Sequence, residues 1–149
     1  MTRGERKRGD MRPIKESEVT MNDREQIQEV MASYAKYIDA KDYDGIIACF
    51  MTDATFTYEG HSVIGRPAIV ELIRTAVEPL NGTQHLFANI IVRIEGDTAR
   101  LTCDCLGQHW RKGVAGGDKF MVGAKYSVQL ERDDDGKWKI SGGPPYCLT

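Results

Sequence analysis

The chain holds three histidines, His61, His85 and His109, and imidazole is the side chain best suited to exchange protons near neutral pH. His109 closes the odd-numbered series Ala99, Leu101, Cys103, Cys105 and Gly107. On a strand these side chains share one face, and a wall of small residues leaves room for a ligand. His85 opens the preceding run, whose odd positions add Phe87 and Asn89. If the two faces line one hollow, two imidazoles approach a single substrate. Asp39 falls near the end of a helical pattern, about 40° around the wheel from Ala35 and so at the margin of its apolar stripe. An acid turned inward there costs several kcal/mol unless it is paired, and an imidazole on the sheet is the natural partner. Such a pair fixes the histidine tautomer and raises its basicity, which is the chemistry of proton abstraction.

Each residue also has a plainer reading. His85 alone is a strand-edge histidine bonded to a loop, and Asp39 alone is a solvated acid near a helix C-terminus, although the helix dipole mildly disfavours a negative charge there. The plainer alternative for His109 is a fraying strand end beside Trp110 and Arg111. His61 follows Gly60 in a turn and is expected to be exposed. Asp133, Asp134, Asp135 and Gly136 lack the alternating ligand spacing of a calcium loop and read as a solvated hairpin turn. His85 and His109 belong to no local ligand pair, so no metal is expected, and with no phosphate or nicotinamide loop in view no cofactor is expected either.

The elements that must position these residues can be read from periodicity. Ile27, Val30, Met31, Tyr34 and Ile38 recur at helical spacing from Asn22 to Ala40, with Asn22 as the cap. A shorter helix follows over 43–50, then a strand with Phe56 and Tyr58 that Glu59 and Gly60 stop. Pro67 suits the first turn of a third helix that carries Ile69, Ile73, Ala76 and Val77 as far as Pro79. Alternation then replaces the helical period. Leu86, Ala88, Ile90, Val92 and Ile94 fall on one face, and Glu95-Gly96-Asp97 turns the chain into a strand over 99–112. A further strand over 120–131 is turned by 133–136 into 137–141, while Gly116-Gly117 and Gly142-Gly143-Pro144-Pro145 read as loops. Helices first and an antiparallel sheet afterwards predict an α+β layer architecture with the helices on one face of a curved sheet.

The chain has 149 residues, 41% hydrophobic and 28% charged, which predicts one domain over 21–149. Residues 1–20 are charged and poor in apolar positions, so a loose arm is expected there; Met21 is a candidate natural start, and a basic arm could equally dock on a neighbouring subunit. Twenty Lys plus Arg against twenty-two Asp plus Glu leave a net charge of -2, which offers no broad basic surface for nucleic acid or anionic lipid. The apolar runs fall far short of the roughly 18 residues of a membrane span, and no signal peptide is visible at the start. Cys49 and Cys147 are isolated, and Cys103 and Cys105 on one strand lie side by side about 6.6 Å apart, a poor geometry for a bridge. A cytoplasmic protein without disulfides is expected.

Tyr34-Ala35-Lys36-Tyr37-Ile38-Asp39-Ala40-Lys41-Asp42-Tyr43-Asp44, then Thr83-Gln84-His85, Gln108-His109 and Asp135-Gly136-Lys137-Trp138-Lys139 together resemble scytalone dehydratase and, beyond it, the SnoaL-like family of polyketide cyclases, dehydratases and isomerases. The resemblance spans Asn22 to about Ile140. It implies the cone-shaped α+β barrel named for nuclear transport factor 2, in which a curved sheet wraps round a pocket under three helices. It also implies that Asp39 orients His85, that His85 and His109 remove water from a cyclic hydroxyketone, and that Tyr58 binds the carbonyl. A second carbonyl-binding tyrosine of the family is replaced by Ile38; Tyr34, one turn earlier, is the candidate for its hydroxyl, and Tyr126 stands where a polar residue closes the family pocket. Tyr34 with Asp39 and a following histidine also resembles the bile-acid dehydratase branch.

The expected activity is therefore that of a lyase without cofactor acting on a small apolar, cyclic or aromatic hydroxyketone. Phe56, Phe87, Asn89, Leu101, Cys105 and Tyr126 are candidate pocket walls. Isomerisation and polyketide cyclisation begin with the same proton abstraction, and the same fold serves non-catalytic binding modules, so these remain the alternatives. The expected partners are a small-molecule substrate and further copies of the chain, as dimer or trimer, because three helices can cover only one face of the sheet.

Overall fold

In a computed structural model, residues 21–113 and 118–143 are described, together with the backbone of Pro145–Leu148. The expected arm over 1–20 and the Gly116-Gly117 loop lie outside the described residues. The first helix, α1 (Asp23–Asp39), starts where its end groups are satisfied: Asn22 Oδ1 accepts from the Glu25 amide at 3.0 Å, and Glu25 Oε2 accepts from the Asn22 amide at 2.9 Å. Its inward face is Ile27, Met31, Tyr34, Ala35 and Ile38, as the spacing predicts. Helix α2 (Tyr43–Ala48) is capped by Asp42, which accepts from the Gly45 amide. Helix α3 (Arg66–Val77) has Pro67 in its first turn and buries Ile69, Ile73 and Val77.

Strand β1 (Thr55–Tyr58) pairs with β2 (His61–Ile64) through a turn in which Glu59 and Gly60 both have positive φ, at 46° and 80°. This is the backbone of a tight hairpin, so His61 begins a strand rather than ending a turn; it is exposed, as expected. The large sheet runs in the order β3 (Gly82–Glu95), β4 (Thr98–Trp110), β5 (Lys119–Arg132) and β6 (Trp138–Gly142), antiparallel throughout. A strand β7 (Pro145–Leu148) pairs with β5 where the sequence reads as loop; two prolines do not exclude a short edge strand. The sheet does not close into a barrel. Its β6 edge is tied to the helical layer by backbone bonds of Ile140 to Met51 and Cys49.

The core lies between α1, α2, α3 and the concave face of the sheet. Phe50, Ile27, Met31, Ile46, Ile69, Leu101 and Leu130 are fully buried, each contributing roughly 1.5–3 kcal/mol of transfer free energy. On β3 the single alternation expected from the sequence holds only in part. The register slips between Ala88 and Ile91, where Asn89 has φ of 53°, a left-handed conformation that asparagine tolerates better than most residues. One extra residue reverses the inward parity. Thr83, His85 and Phe87 face inward before the bulge; Ile90, Val92 and Ile94 face inward after it. Leu86 and Ala88, expected beside Ile90, are instead exposed.

Candidate active site

The strand pairings stack the concave face into rows. Thr83, His109 and Phe120 form one row at the open end; His85, Gly107 and Val122 form the next; Phe87, Cys105 and Ala124 form the third. Beyond the bulge come Cys103 with Tyr126, then Val92, Leu101 and Val128. The first two rows meet the C-terminal end of α1.

Asp39 there receives three donors. His85 Nδ1 lies 2.7 Å from Oδ1, the Thr83 hydroxyl donates to the same oxygen at 2.8 Å, and the His85 amide donates to Oδ2 at 3.0 Å. This is the partner that an inward acid requires, and it offsets the unfavourable negative end of the α1 dipole. Because the carboxylate only accepts, Nδ1 of His85 carries a proton, and in the neutral ring Nε2 holds the open lone pair. Thr83 is 7% exposed, a buried polar side chain of the first row.

His109 meets His85 edge to face, with ring centroids 5.3 Å apart and planes at 87°. Its other side stacks on Phe120 at 5.0 Å and 11°. Among the described residues its Nδ1 is buried and has no hydrogen-bond partner. Burial pushes its proton affinity below that of an ordinary imidazole and the neighbouring His85 adds to this, while the Gly107 backbone and Asp39 act the other way. The neutral ring is therefore favoured. His85 and His109 thus lie within one constellation with Asp39, and the fraying-strand reading of His109 does not describe this structure.

Tyr34 is 3% exposed and packs edge-on against Phe50 at 5.7 Å. Burial first, then Cys49, Cys105 and Tyr58, push its phenol well above the usual tyrosine range, so it remains a hydroxyl donor at any working pH. Tyr58 ends β1, half-buried. Phe56 is buried against Phe50. Phe87 and Tyr126 meet edge to face at 5.0 Å and, with Cys105, form an aromatic and thiol layer behind the imidazoles.

Two expected wall residues stand elsewhere. Asn89 turns to the convex face and donates to Asp104 Oδ2 at 2.7 Å, because the bulge at its own position reverses the strand parity. Leu101 is fully buried in the core; eight residues from His109 along one strand, it lies roughly 26 Å away. Three residues to which the sequence assigned no individual role belong to the site. Thr83 and Gly107 share faces with His85 and His109 at two-residue spacing, a signal that was available. Phe120 depends on the register of β5 against β4, which the intervening loop hides. Among the described residues, no three His, Cys, Asp or Glu side chains converge to hold a metal ion, and no helix is long and apolar enough to cross a membrane.

The terrestric acid biosynthesis cluster protein E of Penicillium crustosum is 29% identical over 125 residues, covering 80% of each chain. A scytalone dehydratase candidate from Novosphingobium aromaticivorans superposes with a TM-score of 0.74 at 20% identity over 83% of each chain. A hexachlorocyclohexane dehydrochlorinase from Novosphingobium barchaimii gives 0.73 at 21% identity over 85% of this chain and 86% of its own. These superpositions show a shared nuclear transport factor 2-like fold. Residues 19–142 match the SnoaL-like domain, and the chain belongs to that family.

Proposed function

We propose that the protein is an acid/base lyase, a dehydratase of a small apolar, cyclic or aromatic hydroxyketone. The observation that carries this reading is the 2.7 Å contact of Asp39 with His85 Nδ1 while His109 stands 5.3 Å away across the rings. Nε2 of His85 takes the acidic proton next to the carbonyl, and the electron pair moves into the forming C=C bond. The carbonyl oxygen accepts hydrogen bonds from Tyr58 and Tyr34, which stabilises the charge that develops on it. His109 reacts from its minor protonated form, whose cation is a stronger acid than ordinary imidazolium, and delivers that proton to the departing hydroxyl as the C–O bond breaks. Water leaves, and the proton held by His85 passes to His109, which restores both rings. The family and the biosynthetic-cluster relative are compatible with this chemistry.

The test is dehydration of a hydroxyketone panel followed by absorbance of the conjugated product. His85→Ala is expected to lose about 10²–10⁴ in kcat. Turnover equal to that of the parent removes His85 from the mechanism; binding of the panel without turnover by the parent favours a carrier; rearranged or ring-closed products favour an isomerase or cyclase.

We also propose that a second or third copy of the chain covers the convex face. Leu86 (55% exposed), Leu106 (44%) and Met121 (66%) lie on that face of β3, β4 and β5, with Leu86 directly opposite Leu106, and apolar groups clustered in this way mark association surfaces. Light scattering on Leu86→Lys should show dissociation to monomer; a parent that is already monomeric refutes the assembly.

A further inference from the structure

Gly107 is an unusual residue within a long strand, three positions before the end of β4. Glycine weakens a strand interior, and its usual reason, a left-handed backbone, does not apply, since Gly107 is not among the residues with positive φ. It is buried, it is the direct cross-strand partner of His85, and it lies two residues before His109 on the same face. What the position lacks is a side chain. A Cβ placed there would come 2.8 Å from His109 Cε1, against 3.5 and 3.6 Å from His85 Cδ2 and Nε2. The last two are ordinary van der Waals contacts, whereas the first is an overlap. His109 can slide back from it only by displacing Phe120, which is stacked on its other side at 5.0 Å.

We propose that Gly107 is a positioning residue: the missing Cβ is what allows the His109 ring to approach His85 edge to face. A methyl group at 107 drives His109 out of its place and leaves His85 on Asp39, since the contacts of His85 with Asp39 are made by Nδ1 and the backbone amide, not by the Cδ2–Nε2 edge that faces Gly107. The site then holds a base with no second imidazole beside it. The consequence for rate rests on the lyase reading; the consequence for ring geometry does not.

The experiment compares the parent with Gly107→Ala, His109→Ala and the double variant by histidine NMR, unfolding and, where the panel is turned over, kinetics. In Gly107→Ala the midpoint of the His109 titration should rise, because the ring leaves its buried position beside His85, and the His85–His109 ring NOEs should vanish while the Nδ1-protonated signature of His85 persists. On an active substrate kcat should fall ten- to a hundredfold with KM changed less than threefold, and the methyl should cause no further loss in the His109→Ala background. Should Gly107→Ala fail to fold, the double variant must recover the fold, because it removes the overlapping ring. Unchanged NOEs and midpoint in a folded Gly107→Ala, or a double variant no more stable than Gly107→Ala, overturns the proposal. A parent inactive on every substrate defeats the lyase reading alone, since the NMR arm still decides the role of Gly107.

Discussion

Replacing Asp39 by asparagine exchanges one oxygen for an amide group, yet it reverses the hydrogen-bond demand on His85. The carboxylate satisfies three donors at once: the Thr83 hydroxyl and His85 Nδ1 on Oδ1, and the His85 amide on Oδ2. An amide has one accepting oxygen. If that oxygen occupies the Oδ1 place, its NH2 confronts the His85 amide, donor against donor. If it occupies the Oδ2 place, the NH2 donates to Nδ1, which must then accept, and the ring proton moves to Nε2. The second arrangement avoids the clash of donors and is the one expected. It blocks the lone pair that acts as base. At least one hydrogen bond to a charged acceptor is lost, worth about 1.5–3 kcal/mol; the site is partly exposed, with Asp39 at 24%, so the lower end is expected, about 1.5 kcal/mol in a denaturant titration. The rate should suffer more, because a wrong tautomer in an Asp–His pair costs about 10⁴ in kcat. Product absorbance gives kcat, and ¹⁵N shifts of the His85 ring identify the protonated nitrogen. An Asp39→Asn protein that keeps kcat within threefold and Nδ1 protonated would refute the role given to this carboxylate.

Thr83→Val should lower kcat about tenfold, the equivalent of roughly 1.4 kcal/mol from one lost charge-assisted bond, and Thr83→Ser should restore most of it; equal rates for Val and Ser would leave Thr83 a packing residue. His109 makes stability depend on pH. Its folded proton affinity lies below the unfolded value because of burial and then His85, so between the two the unfolded chain binds the extra proton. Its contribution is fully present above about pH 6.5 and is lost as pH falls through that value towards the lower folded one. Asp39 and His85 are the titratable groups facing it, and His109→Gln should flatten this part of the denaturant midpoint against pH, whereas an unaltered slope would assign it to other groups. Asn89→Val places a β-branched residue at φ of 53° and should destabilise the fold by about 1–2 kcal/mol, while Asn89→Gly should cost less; a reversed order would mean that the Asn89–Asp104 bond, not the backbone, holds the bulge.

Much of the architecture was legible because one physical signal dominates each element. The three-to-four spacing from Ile27 to Ile38 can bury only as a helix, and Asn22 with Glu25 marks its first turn. Asp39 was legible as a charge at the edge of an apolar stripe that needed a partner. The identity of that partner came from the family resemblance, since no local pattern links residues 46 positions apart. What stayed hidden depends on pairing. The β3 bulge reverses parity through a single backbone conformation at Asn89, so composition alone gives Leu86 and Ala88 to the wrong face and Asn89 to the pocket. The β2 strand is four residues long, too short for alternation to distinguish it from a turn.

The rows also separate what holds the protein together from what the proposed reaction uses, along the same three strands. Towards Leu101 and Leu130 the inward side chains are fully buried, and cavity-forming substitutions there should cost about 2–5 kcal/mol without approaching the imidazoles. At the other end His109 is half-buried and Phe120 is 46% exposed, so fewer apolar contacts hold the strands and local opening is correspondingly cheaper. A pocket that must admit a substrate gains from that looseness, but a proton-transfer pair does not. Asp39 resolves the conflict. It is anchored on α1, whose inward face packs in the core, and it fixes His85 through both ring and backbone, so one imidazole is held by the stable half of the molecule while its partner sits in the half that opens.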